Sequence, residues 1–425
     1  MKSLIKKIIL FCLKRMAKRR LKKYRGKIIA VTGSVGKTST KDAIFTVLNT
    51  QFKVHRSKKS MNSEFGLLLT ILDIESGFSS ARKWMYLLSK AFVNSFRRDL
   101  SEVLLLELGV DKPGDMDFLT SVIVPDIAVI TNIFPVHMAE GQFNSLKEIF
   151  DEKSKLVKVL KEGGTAILNT DDEYIAALAR SCPKRKVITF GRGANVSYRI
   201  KETESNLDGL HFVLAHKDYR TDVKAEVLGN YNAMVMVPAI ICGLEMGMGI
   251  EDCVKAVMRY KLPPGRMSII PAINGATILD SSYNSSPKAL REALKILPKI
   301  KGAKRKIAVL GSMNELGPKS QQLHEDIGKI APQYCDVLLT VGADASKIAA
   351  VAIEKGMDEK SVHVFKSAKE ASAHFFDKVK SGDIILVKGS QNKVRLEIFV
   401  KELMEHPEDA KDLLVRQGKN WKNRF

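Results

Sequence analysis

The stretch from residue 27 to residue 40, KIIAVTGSVGKTST, constrains the fold more than any other part of the 425-residue chain. The apolar residues 28–31 predict a buried strand, and the two glycines after them predict a turn into a helix. Backbone N–H groups of such a turn can surround an anion, and the positive end of the helix dipole points at the same place. A Lys-Thr pair here supplies an ammonium group and a magnesium-binding hydroxyl. This predicts a nucleoside triphosphate site formed by Gly33, Ser34, Val35, Gly36, Lys37, Thr38 and Ser39.

The phosphate-loop pattern is present here in a shortened form. The general pattern has a further glycine at the position of Val31, so this chain carries only Gly-x-x-Gly-Lys-Thr. The alternative interpretation is a tight strand-to-helix turn that happens to contain a lysine. The strand that precedes the turn favours the phosphate site.

Positive charge is concentrated at the N-terminus of the chain. The 69 Lys and Arg residues exceed the 47 Asp and Glu residues, and the net charge of +22 fits a nucleic-acid binder, a membrane-surface protein or an enzyme of anionic substrates. Residues 1–27 hold 12 of the basic residues and no acid, which is more than half of the excess. Because the rest of the chain is only mildly basic and shows no nucleic-acid module, a nucleic-acid partner is not expected.

The cysteines indicate the redox compartment. They are scattered, odd in number and without a Cys-x-x-Cys pair, which argues against a zinc site and against a disulfide framework. A reducing, cytoplasmic compartment fits best. The five positions are Cys12, Cys182, Cys242, Cys253 and Cys335.

Residues 1–27 predict a basic amphipathic helix. The longest uncharged run, residues 8–13, is far shorter than the roughly 20 apolar residues that span a bilayer, and no small-residue cleavage site follows. Three interpretations are open: a helix on the anionic inner face of a membrane, a helix packed on the body of the protein, or a solvated basic arm. Residues 82–98 form a second basic and aromatic segment at helical spacing, which is usually core or partner-facing and is alternatively a second membrane contact.

Strands and helices alternate along most of the chain, which predicts an α/β protein with parallel sheets. An antiparallel excursion is expected at about residues 187–227, and the prolines and glycine of KLPPGR, residues 261–266, predict a linker. Five strands after the linker, within residues 277–387, predict a smaller doubly wound domain. The predicted division is a basic helix at 1–26, a central ATP-binding domain at 27–262, a Rossmann-like domain at 263–405 and a frayed basic tail at 406–425.

Polar residues follow several predicted strands, at the sheet edge where α/β proteins bind ligands. Glu107 ends one strand and suits magnesium, Asn132 follows the next, His137 lies in the loop after it, and Lys153 lies in the following helix. Each alone has an ordinary explanation, such as a capped strand end or a solvated lysine. Their order along the chain is harder to explain by chance.

These motifs, in this order, resemble those of the Mur ligases, over about residues 27–404. The second-domain motifs look most like those of the member that adds D-alanyl-D-alanine. The matching runs are TGSVGKTST, ELGVDKPGDM from Glu107, TNIFPVH at 131–137, LNTDD at 168–172, LGNYN at 228–232, PGR at 264–266, DSSYNSSP at 280–287, LGSMNELG at 310–317 and VKGS at 387–390.

The resemblance implies an ATP-dependent, ADP-forming amide ligase of peptidoglycan precursor synthesis. Such an enzyme phosphorylates a carboxylate and joins it to an amine, here D-alanyl-D-alanine, chiefly by neutralising charge. By the same resemblance, Lys37 would hold the β- and γ-phosphates, Thr38 and Glu107 one magnesium ion, and His137 a second. Lys153 aligns with a lysine that is carbamylated in the family, and Asn132 is placed with the catalytic residues. Nucleotide contacts are implied for Asn232, Arg266, Asp280, Tyr283 and Asn284.

Some positions depart from the family pattern. Ser281, Tyr231 and Val235 stand where relatives have Asp, His and Asn, and relatives carry an N-terminal domain for the UDP-sugar where this sequence has the basic helix. Two alternative functions therefore stay open. One is a Mur-like ligase with other substrates, of polyglutamate type or with a lipid-linked acceptor. The other is an inactive, membrane-tethered nucleotide-binding scaffold.

Overall fold

The structure is a computed structural model that describes residues 2–57, 61–74, 81–136, 141–182, 185–314, 316–390, 394–418 and 421. The chain divides into two compact units. Unit 1 comprises residues 1–204, 210–226 and 230–261, and unit 2 comprises residues 205–209, 227–229 and 262–425. His137, the expected ligand of a second metal ion, lies outside the described residues.

Unit 1 is built on a nine-stranded sheet. Its strands are β1 (Lys27–Thr32), β2 (Val54–Arg56), β3 (Val103–Glu107), β4 (Ile127–Ile130), β5 (Thr165–Asn169), β6 (Lys186–Gly191), β7 (Tyr198–Asn206), β8 (Gly209–His216) and β9 (Tyr219–Ala225). Their order is β2-β3-β1-β4-β5-β6-β7-β8-β9. Strands β3, β4 and β5 are buried along their whole length, as expected for apolar strands covered on both faces.

The pairing confirms the predicted parallel sheet, since each pair from β2 to β7 in this order is parallel. The predicted antiparallel excursion is confirmed for β8 and β9. It is wrong for β6, which runs parallel to β5. The physical reason is the helix Glu173–Ser181 between them, because a helical crossover returns the chain in the same direction.

Helices flank this sheet. They are α1 (Lys2–Lys22), α2 (Lys37–Leu48), α3 (Glu64–Ile71), α4 (Ala81–Phe96), α5 (Asp115–Thr120), α6 (Leu146–Lys158), α7 (Glu173–Ser181), α8 (Ala233–Glu245) and α9 (Ile250–Val257). Side-chain caps fix several N-termini: Ser145 accepts from the Glu148 N–H at α6, and Asp172 accepts from two N–H groups at α7.

Helix α1 packs on unit 1, against α3 and α4. Leu13 and Ala17 are fully buried in the same apolar cluster as the inner face of α4. Arg20 forms a largely buried ion pair with Asp99, with 3.2 Å between Nη2 and Oδ2. The packed-helix interpretation is therefore observed, and a solvated arm is excluded. In the part of the chain that the structure describes, none of the helices has the length and apolar character needed to cross a bilayer.

Unit 2 contains a six-stranded sheet in the order β10-β11-β15-β12-β13-β14. The pair β10–β11 is antiparallel and all the others are parallel, so the five predicted strands correspond to β11–β15. The sequence missed β10, whose Pro271 is tolerated because the strand lies at the sheet edge. The strands are β10 (Ser268–Ala272), β11 (Ala276–Ser281), β12 (Arg305–Gly311), β13 (Val337–Val341), β14 (Val362–Phe365) and β15 (Asp383–Lys388).

The C-terminal segment of unit 2 is folded onto it. Ala410 and Leu414 are buried in the apolar cluster of unit 2, and Ala410 begins a short helix. The expected frayed tail is therefore wrong for residues 407–416, because two apolar side chains anchor this polar stretch. The helices of unit 2 are α10 (Pro287–Leu294), α11 (Ser320–Gly328), α12 (Ser346–Glu354), α13 (Ala368–Phe375), α14 (Glu397–Leu403) and α15 (Ala410–Leu413).

Candidate active site

The phosphate loop connects β1 to α2, as the sequence predicts. Gly33 has a φ of 146°, and a Cβ atom there would lie 2.0 Å from Oγ1 of Thr131. Gly36 has a φ of 86° and caps the N-terminus of α2. Both positions require glycine, the first because of a close contact and both because of a positive φ. The loop therefore presents backbone N–H groups at a helix N-terminus, which is the arrangement that binds phosphate.

The end of β4 holds the phosphate loop in place. Asn132 makes a reciprocal pair with the backbone of Val35: its Oδ1 accepts from Val35 N at 2.8 Å and its Nδ2 donates to Val35 O at 2.9 Å. Thr131 Oγ1 donates to the same carbonyl at 2.8 Å. Ser34 Oγ accepts from Phe134 N and donates to Phe134 O. Because these bonds come from a neighbouring strand end, the loop is preorganised.

Lys37 and Thr38 lie in the first turn of α2. The Lys37 ammonium donates to the carbonyls of Gly33 and Ser34, at 2.8 and 3.1 Å, so it lies over the loop. Thr38 Oγ1 donates to Oε1 of Glu107 at 3.0 Å. The three residues that the sequence assigned to phosphate and metal are thus brought to one point, at the C-terminal ends of β1 and β3.

Glu107 is the centre of a buried polar cluster. Oε1 also accepts from Asn62 Nδ2 at 3.1 Å, and Oε2 lies 3.5 Å from the ammonium of Lys41. The carboxylate and the Thr38 hydroxyl are hard oxygen donors, which suit magnesium. No group of three or more His, Cys, Asp or Glu residues is arranged to hold a metal within the described residues. A magnesium ion at Thr38 and Glu107 fits this arrangement, since magnesium commonly keeps waters and phosphate oxygens as its other ligands.

Lys41 and Asn62 were not identified from the sequence as parts of this site. Lys41 is completely buried and donates to Ser57 O at 3.1 Å, and burial lowers the pKa of its amine, although Asp42 and Glu107 oppose that shift. The sequence did contain an indication for Lys41: it lies three residues after Thr38, which places both side chains on the same side of α2. Asn62 belongs to an irregular loop, where spacing carries no such information.

Lys153 lies in α6 and is only 1% exposed. Burial, followed by the charge of Lys37, lowers the pKa of its amine to about 7. The carboxylate of the neighbouring Glu152 binds another group: its Oε1 accepts a hydrogen bond from Met116 N at 2.7 Å. A solvated helix lysine is therefore excluded. Because about half of such amines are neutral at pH 7, this buried side chain can react with carbon dioxide.

Asn232 is fully buried in unit 1, immediately before α8. Helix α8 packs against α2, the helix that follows the phosphate loop. The neighbouring Tyr231 is half exposed. The structure thus places Asn232 at the N-terminus of a helix that supports the phosphate-loop helix.

The predicted nucleotide contacts of unit 2 lie together at the end of β11. Asp280 is fully buried, and burial raises the pKa of its carboxyl to about 6. Its Oδ1 accepts from Ser282 N at 2.9 Å. The Arg266 guanidinium lies 4.6 Å from the ring centroid of Tyr283.

The loop 282–285, which contains Tyr283 and Asn284, is held by distant side chains. Arg416 donates to the carbonyls of residues 282 and 283, at 3.3 and 2.6 Å. Lys388 donates to the carbonyl of residue 284 at 3.0 Å, and Ser390 Oγ to that of residue 285 at 3.0 Å. Four consecutive carbonyls are therefore fixed. Arg416 lies 134 residues from Ser282 in the chain, so no local sequence pattern could identify it as part of this site.

Comparisons with known proteins agree with this geometry. Residues 31–243 match the Mur ligase middle domain, and residues 265–391 match the domain described as Mur ligase, glutamate ligase domain. The chain is 31% identical over 399 residues to the UDP-N-acetylmuramoyl-tripeptide--D-alanyl-D-alanine ligase of Bacillus subtilis (strain 168), covering 94% of this chain and 80% of the relative. It is 28% identical to the ligase of the same name from Rickettsia prowazekii (strain Madrid E), covering 91% and 80%.

Solved structures show the same fold. MurF from Acinetobacter baumannii matches with a TM-score of 0.76 at 23% identity, covering 93% of this chain and 79% of that one. MurF ligase from Thermotoga maritima in complex with ADP matches with a TM-score of 0.73 at 23% identity, covering 95% and 84%. With both family domains matched and a relative above 30% identity aligned over most of its length, the chain belongs to the Mur ligase family.

Proposed function

We propose that this chain is an ATP-dependent ligase that adds D-alanyl-D-alanine to a muramoyl peptide in peptidoglycan precursor synthesis. The observation that carries the proposal is the joint placement of the phosphate loop, Thr38 and Glu107, together with the names of the aligned relatives. A scaffold that only binds nucleotide has no need of a buried lysine such as Lys153, whose pKa is lowered to about 7.

The reaction divides into two displacements. A carboxylate oxygen of the peptide attacks the γ-phosphorus of ATP, and ADP leaves with the electron pair of the broken P–O bond. The amine nitrogen of the dipeptide then attacks the acyl carbon, loses its proton, and expels inorganic phosphate as the amide bond forms. The N–H groups of the phosphate loop and the ammonium of Lys37 offset the charge that develops on the phosphates. Magnesium held at Thr38 and Glu107 would supply further neutralisation of that charge.

We also propose that the working form of Lys153 is a carbamate. The ammonium first loses a proton to solvent; carbon dioxide then adds to the neutral amine nitrogen and a second N–H proton passes to solvent, which leaves a carboxylate-like anion in place of the cation. The lowered pKa of Lys153 favours this addition, because only the unprotonated amine has a free electron pair. A carbamate also replaces the repulsion between the buried ammonium of Lys153 and the half-buried ammonium of Lys37 by an attraction.

The test is a reconstitution with the purified chain, ATP and magnesium. A panel of UDP-muramoyl peptides is combined with dipeptides and with glutamate, and amine-dependent phosphate release is measured. The expected result is product with a muramoyl tripeptide and D-alanyl-D-alanine. Release only with glutamate and a glutamate-bearing acceptor would favour a polyglutamate-type ligase, and absence of release with every pair would favour the scaffold. Lys37→Ala is the matched control and is expected to be inactive.

We propose further that the chain works peripherally at an anionic membrane surface. The support is the basic character of residues 1–27, which contain no acid. Such a segment is attracted to anionic lipid headgroups.

A further inference from the structure

The two basic segments of unit 1 form a single surface. Helix α1 turns its apolar stripe inward, so that stripe is already used by the core of unit 1. The opposite faces of α1 and α4 stay in solvent. Phe96 of α4 joins them: the guanidinium of Arg19 lies 4.5 Å from its ring centroid, and Lys23 donates to its carbonyl at 3.1 Å.

This α1–α4 face carries an unusual number of exposed apolar side chains. Six of them are about half exposed or more, and two of these, Phe92 and Phe96, contact each other with ring centroids 5.1 Å apart. Single exposed apolar residues are ordinary on a protein surface, whereas a group on adjoining helices indicates an interaction site. The six are Ile8, Phe11, Tyr86, Phe92, Val93 and Phe96.

The charge of the same face has one sign. Neither α1 nor α4 contains an Asp or Glu residue. Asp99, the first acid after α4, is largely buried and is bound by Arg20 and by His55. Exposed cations therefore meet no acid of these two helices. On α1 and α4 the cations with exposed side chains are Lys6, Lys7, Arg15, Lys18, Arg19, Lys22 and Lys90, and the exposed Arg97 and Arg98 follow α4 directly.

We infer that the α1–α4 face docks on a bilayer that contains anionic lipid, with Phe92, Val93 and Phe96 inserted at the boundary between headgroups and acyl chains. This inference rests on the peripheral association proposed above and assigns its surface. Aliphatic and aromatic side chains between cations fit a bilayer, since the apolar groups enter the lipid while Lys and Arg reach the headgroups. A nucleic acid would be attracted by the cations but would give the aliphatic Ile8 and Val93 no apolar environment.

The α1–α4 face is not the membrane-binding surface that the sequence predicted, which was the apolar stripe of residues 1–27. A membrane contact through the apolar stripe of residues 1–27 would require α1 to leave the core and expose Leu13 and Ala17. The α1–α4 face binds without any such change. It also uses α4, so removing α1 alone would not remove all of the contact.

The test uses the full chain and sedimentation with vesicles, either of phosphatidylcholine alone or of equal parts phosphatidylcholine and phosphatidylglycerol. Binding is expected only with phosphatidylglycerol and is expected to weaken in high salt. Phe92→Ser with Phe96→Ser is expected to reduce vesicle affinity about tenfold or more, and Lys18→Glu with Arg97→Glu by a similar factor. Matched controls in unit 2 are Phe376→Ser, for an equally exposed ring, and Lys299→Glu with Lys301→Glu, for exposed charges.

Three results would overturn the inference. One is equal binding to both vesicle types. Another is binding to a DNA oligonucleotide that matches vesicle binding and is unaffected by the phenylalanine variants, which would make the face a polyanion site. A third is a change of oligomeric state in the phenylalanine variants with unaltered vesicle binding, which would make the partner a second copy.

Ligation of a soluble substrate is measured in parallel. The surface variants are expected to keep the parent rate, because they leave the phosphate loop and Glu107 untouched. A parent chain that binds anionic vesicles but releases no phosphate with any substrate pair would refute the proposed ligase and leave the docking surface standing.

Discussion

Arg416 and Glu397 form a buried ion pair in unit 2, with 3.0 Å between Nη1 and Oε2 and side-chain exposures of 6% and 0%. The other carboxylate oxygen accepts from Arg395 at 3.0 Å. Glu397 thus orients a guanidinium whose remaining N–H groups bind the carbonyls of residues 282 and 283. A segment at the C-terminus therefore determines the backbone position of Tyr283, a proposed nucleotide contact.

Arg416→Ala is expected to raise the KM for ATP about tenfold with a smaller effect on kcat, because the loop 282–285 loses two of its fixed carbonyls. Removing one partner of a buried pair is also expected to cost about 3 kcal/mol of stability. Steady-state kinetics and urea unfolding measure the two effects.

Arg395→Ala is the matched control, since Arg395 binds the same carboxylate through its other oxygen. It is expected to lower stability with little change in the KM for ATP. Hydrogen exchange of residues 282–285 should accelerate only in the Arg416 variant. Equal effects of both variants on KM would show that Arg416 acts through stability alone.

Glu107→Gln is expected to abolish ligation, because it removes a charged oxygen from the proposed magnesium site. It is also expected to lower stability by about 2 kcal/mol, since the buried ammonium of Lys41 loses the carboxylate 3.5 Å away and keeps only that of Asp42, at 3.8 Å. Magnesium binding is followed by calorimetry in the presence of ADP, and stability by urea unfolding.

Adding Lys41→Met to Glu107→Gln separates the two roles of the carboxylate. The double variant no longer buries an ammonium that has lost the Glu107 carboxylate, so it is expected to recover most of the stability and none of the activity. Lys37→Ala, at a half-buried lysine of the same loop, is expected to be inactive and as stable as the parent. Recovery of ligation by the double variant would remove Glu107 from the metal site.

The sequence predicted those parts of the site that follow from local chain geometry. A strand, a glycine turn and a helix place Lys37 and Thr38, and a strand end places Glu107, because parallel strands deliver their C-termini to one edge. The pairing of Lys41 with Glu107 and of Arg416 with the loop 282–285 depends on tertiary packing between distant segments. No periodic pattern in a sequence indicates which distant residues will pair. From the sequence alone, Lys41 is therefore an ordinary helix lysine and Arg416 an arginine of the C-terminal tail.

The packing of the N-terminal helix α1 is a second feature that local sequence patterns could not predict. Its amphipathic pattern predicted a helix with one apolar side but could not tell whether lipid or protein covers that side. Leu13 and Ala17 face protein because α3 and α4 offer a complementary apolar surface. The exposure of Phe11 on the other side followed from this packing and could not be predicted separately.

Lys153→Met is expected to be more stable than the parent at pH 7 and below in buffer free of carbon dioxide, and to lose that advantage as pH rises towards 10. Folding lowers the pKa of Lys153 from 10.5 to about 7. Between these values the unfolded chain binds a proton that the folded chain does not, so the free energy of unfolding of the parent rises with pH. Urea unfolding across this pH range measures the difference.

Bicarbonate tests the carbamate in the same pair of proteins. At about pH 8, added bicarbonate is expected to raise the melting temperature of the parent and leave Lys153→Met unchanged, because only the parent has an amine that binds carbon dioxide in the fold. Lys153→Ala is expected to lose most ligase activity and to regain part of it with short carboxylates such as acetate. An identical response of parent and variant to bicarbonate would rule out the carbamate.

Asn132→Ala is expected to raise the KM for ATP by about 10- to 30-fold while kcat changes little. The reason is that Asn132 makes two hydrogen bonds to the backbone of Val35, each worth about 0.5–1.5 kcal/mol, and these hold the phosphate loop in its binding conformation. Thr131→Val removes the remaining side-chain bond to the Val35 carbonyl and is expected to give a smaller effect of the same kind. Initial rates across a range of ATP concentrations separate the two parameters. A variant with unchanged KM and a kcat reduced a hundredfold or more would instead make Asn132 a residue that contacts the reacting groups, because losing an interaction made only in the transition state lowers kcat and leaves KM unchanged.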